Sequence, residues 1–226
     1  MSDNKLSICV VGGTGAQGSG LALRWANAGH TVSVASRDEA KAKAAARELN
    51  AILGSDRISG ADYAKGAADA SIIVLTVPFA SQLSTVTALK DELPGKILID
   101  VTVPLVPPKV STVQLPETDS CVVNIQKLLG ADVRVVSAFQ NVSAHKLKKL
   151  DYDIACDVLV TCDDKDAREV GIALAKDAGL RAIDAGPLAN SVVAEALTSA
   201  LIWINRKYKV PDAGIRITGL DAVIER

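Results

Sequence analysis

The beginning of the chain leaves the fewest structural options. An apolar run at residues 6–11 breaks directly into VVGGTGAQGSG, residues 10–20, and resumes at 21–28 as a helical stretch that Gly29 closes in a left-handed cap. Strand, glycine turn and helix in immediate succession is the context that makes a glycine motif a phosphate-binding loop rather than a simple turn. In that reading Gly13 permits the tight turn, Gly15 lets the backbone approach a pyrophosphate, and Gly18 lets the helix pack close to the strand. Ala16 and Gln17 complete the loop where the helix start offers N–H groups and a partial positive charge to phosphates.

The same glycines fit two fingerprints. Gly13, Gly15 and Gly18 satisfy G-x-G-x-x-G, whereas Gly12, Gly15 and Gly18 satisfy the spacing found in tyrosine-dependent short-chain reductases. The second chemistry needs a Tyr and a Lys one helical turn apart, so that the cation lowers the phenol pKa. Four residues after Tyr63, Tyr152 and Tyr208 stand Ala67, Cys156 and Asp212. That chemistry is excluded.

Farther along, short β-type runs alternate with alanine-rich helical stretches, the pattern of a parallel sheet covered on both faces. Strands are expected at residues 6–11, 31–35, 71–77, 96–101, 133–139, 157–162 and 181–185, and helices at 38–52, 81–93, 165–178 and about 188–207. Ser36 and Glu39 have capping-box spacing, VPLVPPKV at 103–110 is a stiff irregular loop, and 214–218 is a short β-type tail. The fold expected is α/β, a Rossmann-type doubly wound, mostly parallel sheet with a small C-terminal α/β domain packed on it. The basic HKLKK stretch places the boundary so that residues 1–143 bind the dinucleotide and 144–226 complete the substrate cleft and a dimer contact.

The tip of the second strand, about 20 residues after the glycines, chooses the dinucleotide. Here it reads ASRD: Ser36 and Arg37 supply a hydroxyl and a planar cation suited to a 2′-phosphate, and Lys41 lies one turn on. Asp38 could accept from a ribose hydroxyl or cap the helix. The balance favours NADP(H) over NAD(H).

Groups for acid–base chemistry are few. His30 sits in a turn on the side of the sheet away from catalysis, His145 lies in NVSAHKLKK, and Asp163–Asp164 reads as a helix N-terminus. No paired carboxylates, metal-ligand cluster or serine–histidine arrangement stands out, so neither a metal nor a catalytic side chain is expected. Direct hydride transfer between two redox rings needs orientation and no protein proton donor. A net charge of −1 and 3% aromatic residues argue against nucleic acid or an anionic membrane as partner. The start lacks the pattern of a signal peptide, and three of the four cysteines lie in apolar runs, as expected for small buried residues in a reducing cytoplasm. On these residues alone, a reductase of a small carbonyl, imine or flavin and a non-catalytic NADP sensor both stay open.

One combination is more specific. The run LSICVVGGTGAQGSGLALRWANAGHTVSVASRDEAKA, the VLTVPF segment and above all DAGPLANS, residues 184–191, resemble the NADPH-dependent reductases of the deazaflavin coenzyme F420. The resemblance is collinear over nearly the whole chain and includes the VPLVP loop. It implies hydride exchange between NADP(H) and F420 bound in one cleft, and a homodimer. It implies that Thr14, Ser36 and Arg37 hold NADP, that Val77 and Pro78 lie along it, and that Val103, Pro104, Gln140, Asn141 and Val142 meet the deazaflavin. Gln140 and Val192 stand where that family's pattern has a histidine and, nearby, an arginine. Lys146, Lys148 and Lys149 are then candidates to meet the acidic tail of F420.

Overall fold

The computed structural model describes residues 5–117, 120–220 and 223. Six strands form one parallel sheet in the order β3-β2-β1-β4-β5-β6, with β1 at Ser7–Val11, β2 at Thr31–Ala35, β3 at Ile58–Ala61, β4 at Ile72–Leu75, β5 at Ile97–Asp100 and β6 at Arg134–Ser137. Strand order reverses between β1 and β4, which places a crevice at the carboxyl ends of those strands, the usual ligand site of a doubly wound sheet. In register, Val10 of β1 lies between Val34 of β2 and Val74 of β4.

The continuous apolar runs have a direct cause, since both faces of the sheet are covered and successive side chains alternate between them. Ile8, Val10, Ile72 and Val74 enter one core; Cys9, Val11, Ile73 and Leu75 enter the other. The first core is closed by α1 (Ala16–Asn27) and α2 (Glu39–Leu53), the second by α3 (Tyr63–Ala68), α4 (Phe79–Ala88) and α5 (Cys121–Leu129). All four cysteines are buried and unpaired.

Beyond β6 the chain forms β7 (Asp157–Val160), α6 (Lys165–Asp177), β8 (Arg181–Asp184) and the long α7 (Ser191–Tyr208). β7 and β8 make a separate two-stranded parallel sheet, joined to β6 by one antiparallel bridge between Ser137 and Thr161. The first core runs on through Val158, Val160, Leu174 and Ala182 of these elements. Three side chains of the first segment anchor them. Arg24, 5% exposed, donates to the carbonyls of Leu147, Lys149, Tyr152 and Ala178; Trp25 Nε1 donates to Leu174; His30 Nε2 lies 2.9 Å from Asp177 Oδ2. His30 Nδ1 accepts from the Leu6 N–H at 3.1 Å, so the ring is a structural link, as its turn position suggests.

Several expectations are corrected. The cap of α2 is Asp38, whose carboxylate accepts from Lys41 N; Ser36 Oγ accepts from Asp38 N, so no Ser36–Glu39 box forms. Asp164 caps α6, while Asp163 Oδ1 accepts from Leu188 N and so ties that turn to the entrance of α7. The tail at 214–218 forms no strand. It meets β7 through one main-chain bond, Asp157 N to Ile215 O, and Ile217 N donates to the Asp157 side chain instead. That carboxylate is fully buried and also takes a two-pronged bond from Arg181. β3, α3 and α5 lie in stretches where the sequence pattern gave no element.

Residues Leu188–Tyr208 are long and apolar enough, by composition, to cross a membrane. About a third of that stretch is buried inside the protein. Ala194, Glu195, Ser199 and Leu201 pack inward, and Glu195 accepts from Ser120 Oγ and from Cys121 N at the start of α5.

Candidate functional site

A cleft of about 790 Å³ opens at the reversal of strand order, above the carboxyl ends of β1, β2, β4 and β5. Its floor is the glycine loop. Gly12 adopts φ +80° and carries the turn, so the left-handed position is Gly12 rather than Gly13. Gly13 is instead packed from behind: a Cβ there would stand 2.7 Å from Val10 O and 3.0 Å from Val34. At Gly18 a Cβ would meet Thr76 Oγ1 at 2.5 Å, so this glycine sets the distance between α1 and β4. Gly15 faces the cleft and caps α1 with no side-chain hydrogen bond, and no acidic residue occupies the first turn. The N–H groups and dipole of that helix start are therefore available to an anion.

One end of the cleft is cationic. Ser36, Arg37 and Lys41, from the tip of β2 and the start of α2, line it together with Tyr63 of α3. Among the described residues the Arg37 guanidinium has no hydrogen-bond or ion-pair partner, and Lys41 Nζ lies 3.9 Å from Asp38. Burial raises the Tyr63 phenol pKa, and the charge of Arg37 pulls it back in part. The other end is apolar, walled by Val77, Pro78 and Phe79 after β4 and by Val103 and Leu105 after β5.

Of the residues expected at the site, Thr14, Gly15, Gln17, Ser36, Arg37, Lys41, Val77, Pro78 and Val103 line this one cleft. Gly13 and Gly18 lie beneath it, Ala16 is exposed at the start of α1, and Pro104 is buried next to Val103. Gln140, Asn141 and Val142 line a second, smaller cavity of about 120 Å³ against Thr198 and Leu201 of α7. Their side chains are buried and turned inward: Gln140 Nε2 donates to Asp100 O and Ser137 Oγ, and Asn141 Nδ2 donates to Asp157 O. Lys146 is engaged with Asp212 at 3.3 Å and lies over the Tyr152 ring, so of the HKLKK lysines only Lys148 and Lys149 extend into solvent. His145 is exposed.

Sequence reasoning missed Tyr63, Thr76, Phe79 and Leu105 as cleft residues. Phe79 and Leu105 each adjoin a residue expected at the site, Pro78 and Pro104, so the cleft wall extends farther along these loops than expected. Tyr63 follows β3, the strand that left no pattern.

Fold and cleft together define a dinucleotide-binding protein of the doubly wound class. Residues 7–104 match the family described as NADP oxidoreductase, coenzyme F420-dependent. Over 222 residues the chain is 42% identical to an F420-dependent NADP reductase of Methanothermobacter thermautotrophicus, covering 95% of this chain and 96% of that one. It is 39% identical to a protein of the same description from Methanocaldococcus jannaschii, covering 96% and 100% of the two chains. Among solved structures, a putative F420-dependent NADP reductase of an Arthrobacter species superposes with a TM-score of 0.78 at 26% identity, over 94% of this chain and 99% of that one. The chain belongs to the F420-dependent NADP reductase family.

Proposed function

We propose that the protein is an oxidoreductase that exchanges a hydride directly between NADP(H) and coenzyme F420. The observation that carries this is the full-length relationship to F420-dependent NADP reductases, joined to a cleft whose cationic end lies beside an uncapped helix start. Both substrates bring their own redox chemistry, a ring carbon that gives or takes a hydride. The protein's part is to bind, orient and exclude water.

The loop from Gly12 to Gly18 and the start of α1 receive the pyrophosphate, with Thr14 and Gln17 at its edge. Ser36, Arg37 and Lys41 take the 2′-phosphate, the reading supported by the unpartnered Arg37 fork. Val77, Pro78 and Val103 give the reacting end an apolar wall, backed by the buried Pro104, where orientation supplies rate. The titratable groups lining the cleft are Arg37, Lys41 and Tyr63, all at its far end, which agrees with a reaction needing no side-chain proton donor. Gln140, Asn141 and Val142 border the deazaflavin through their main chain, since the amides of Gln140 and Asn141 are bonded inside and the Val142 side chain is buried.

In this reading residues 1–143 carry NADP and residues 144–226 close the second-substrate side. A homodimer is supported by α7, which leaves Val193, Trp203, Ile204 and Tyr208 exposed along its outer side. Four buried, unpaired cysteines support a reducing, cytoplasmic setting. A titration of NADPH followed by oxidised F420, monitored at the deazaflavin's visible band, tests the assignment.

A further inference from the structure

We propose that the Tyr63 hydroxyl is a specificity-determining contact for the 2′-phosphate of NADP(H), a fourth group beside Ser36, Arg37 and Lys41. The inference rests on the placement of NADP(H) in the cleft and adds a residue for which sequence reasoning found no role.

The two strand tips bring these groups together. β2 and β3 are paired with Ala35 opposite Ala61, and Ser36 N donates to Ala61 O at 3.2 Å. Ser36 and Arg37 leave β2 just as Asp62 and Tyr63 leave β3, so the four residues share one end of the sheet. Both acids at this end are turned into caps. Asp38 accepts from Lys41 N at 3.2 Å and Asp62 from Lys65 N at 2.9 Å, which holds each carboxylate at its own helix start. What remains facing the cleft is a guanidinium, an ammonium and two hydroxyls.

Tyr63 is suited to donate. Its ring is half-buried and packed against the apolar cluster containing Cys9, Ala35 and Ala67, so few of its rotamers remain open. Its oxygen lies within electrostatic reach of Arg37 but, among the described residues, makes no hydrogen bond to protein. A core tyrosine with its hydroxyl satisfied would be explained by packing alone, and Tyr63 lacks that partner. It also lacks the lysine one turn on that a catalytic tyrosine would need, since Ala67 stands there. A half-buried phenol close to an unpartnered cation is complementary to a phosphate dianion, to which its hydrogen bond is charge-assisted and so stronger than one to the neutral hydroxyl of an unphosphorylated ribose.

The test compares adenosine 2′,5′-bisphosphate with 5′-ADP as calorimetric probes of the wild type, Tyr63→Phe and Arg37→Glu. Phenylalanine keeps the ring and its packing, so the thermal midpoint should stay near wild type. Tyr63→Phe is expected to weaken the bisphosphate about tenfold, the loss typical of a hydrogen bond to a charged group, while 5′-ADP binding is unchanged. The KM of NADPH should rise by the same factor and that of NADH should not move. Equal weakening of both probes, or no weakening of either, overturns the proposal. If Arg37→Glu abolishes the preference for the bisphosphate and Tyr63→Phe leaves it intact, only the role of Tyr63 fails. If the wild type shows no preference, the placement of NADP(H) fails with it.

Discussion

The side-chain amide of Gln17 donates to the main-chain carbonyl of Phe139 at 2.8 Å, bridging 122 positions of sequence. Gln17 lies in the glycine loop at the start of α1, and Phe139 immediately precedes the segment proposed to border F420. Phe139 holds a left-handed backbone, φ +71°, an uncommon conformation for a bulky residue. It is fully buried, its ring edge-on to Trp25 of α1 at 5.8 Å. The bond and the ring contact hold the start of α1 against the Phe139 turn, and so would set the distance between the two proposed substrate sites. Gln17→Leu should therefore slow hydride transfer by about tenfold while NADPH affinity changes little, because misplacement of the rings costs rate rather than binding. Stopped-flow single turnovers beside equilibrium titration separate the two; an unchanged transfer rate would show the bridge to be incidental.

Arg37→Glu replaces the unpartnered fork with an anion at the proposed 2′-phosphate site. NADPH affinity should fall by about 100-fold, the scale of losing a charge-assisted pair and gaining repulsion. NADH should be little affected. Steady-state KM values for the two dinucleotides decide it, and an equal effect on both would contradict the assignment.

Asp100 at the end of β5 is fully buried, with Oδ2 accepting from Gln82 Nε2 at 2.6 Å and Oδ1 from Thr102 N at 2.9 Å. Burial pushes its pKa up to about 6; the bonds from Thr102 and Gln82 offset part of this, and nearby Glu195 adds to the rise. The unfolded value is about 4. Between the two the native state binds more protons, so stability from this group is present at low pH and lost as pH rises through about 6. Asp100→Asn, with the Gln82 amide turned to present its oxygen, removes that dependence. Relative to wild type the variant should gain on the order of 2–3 kcal/mol between pH 4 and pH 7. Urea unfolding across that range checks it; parallel profiles would refute it.

Arg24 ties α1 to the C-terminal elements through four carbonyl oxygens. Arg24→Met leaves buried acceptors without donors and should cost on the order of 3 kcal/mol, roughly 10 °C in Tm for a chain of this size. A Tm within error of wild type would show that water satisfies those carbonyls.

Much of the fold was legible because both faces of the sheet are buried. That burial turns β1, β4 and β5 into nearly continuous apolar runs, which a half-exposed strand would not show. β3 escaped notice for the opposite reason. ISGA is four residues at the sheet edge and contains Gly60, where any Cβ would collide with the backbone at Ala42 and Lys43 of α2. The residue that hides the strand is the one that lets α2 lie against it. α5 begins CVV, β-branched and just after a proline-bearing segment, and its start is secured by Ser120 Oγ and by Glu195 from α7. Such a distant carboxylate leaves no local pattern. At the site, the glycine loop and the Ser36–Arg37 tip were readable because spacing along one βαβ unit sets them. The contribution of Tyr63 and the inward turn of Gln140 depend on which strands become neighbours, and only the folded chain shows that.

Hydride exchange between NADP(H) and F420 can be followed directly in one measurement. Folded protein, shown to bind NADPH, is mixed with NADPH and oxidised F420 while the deazaflavin's visible absorbance is followed. The band should bleach, NADPH should be consumed in equal amount, and excess NADP should restore the band. An intact F420 spectrum in the presence of NADPH-bound protein would contradict it.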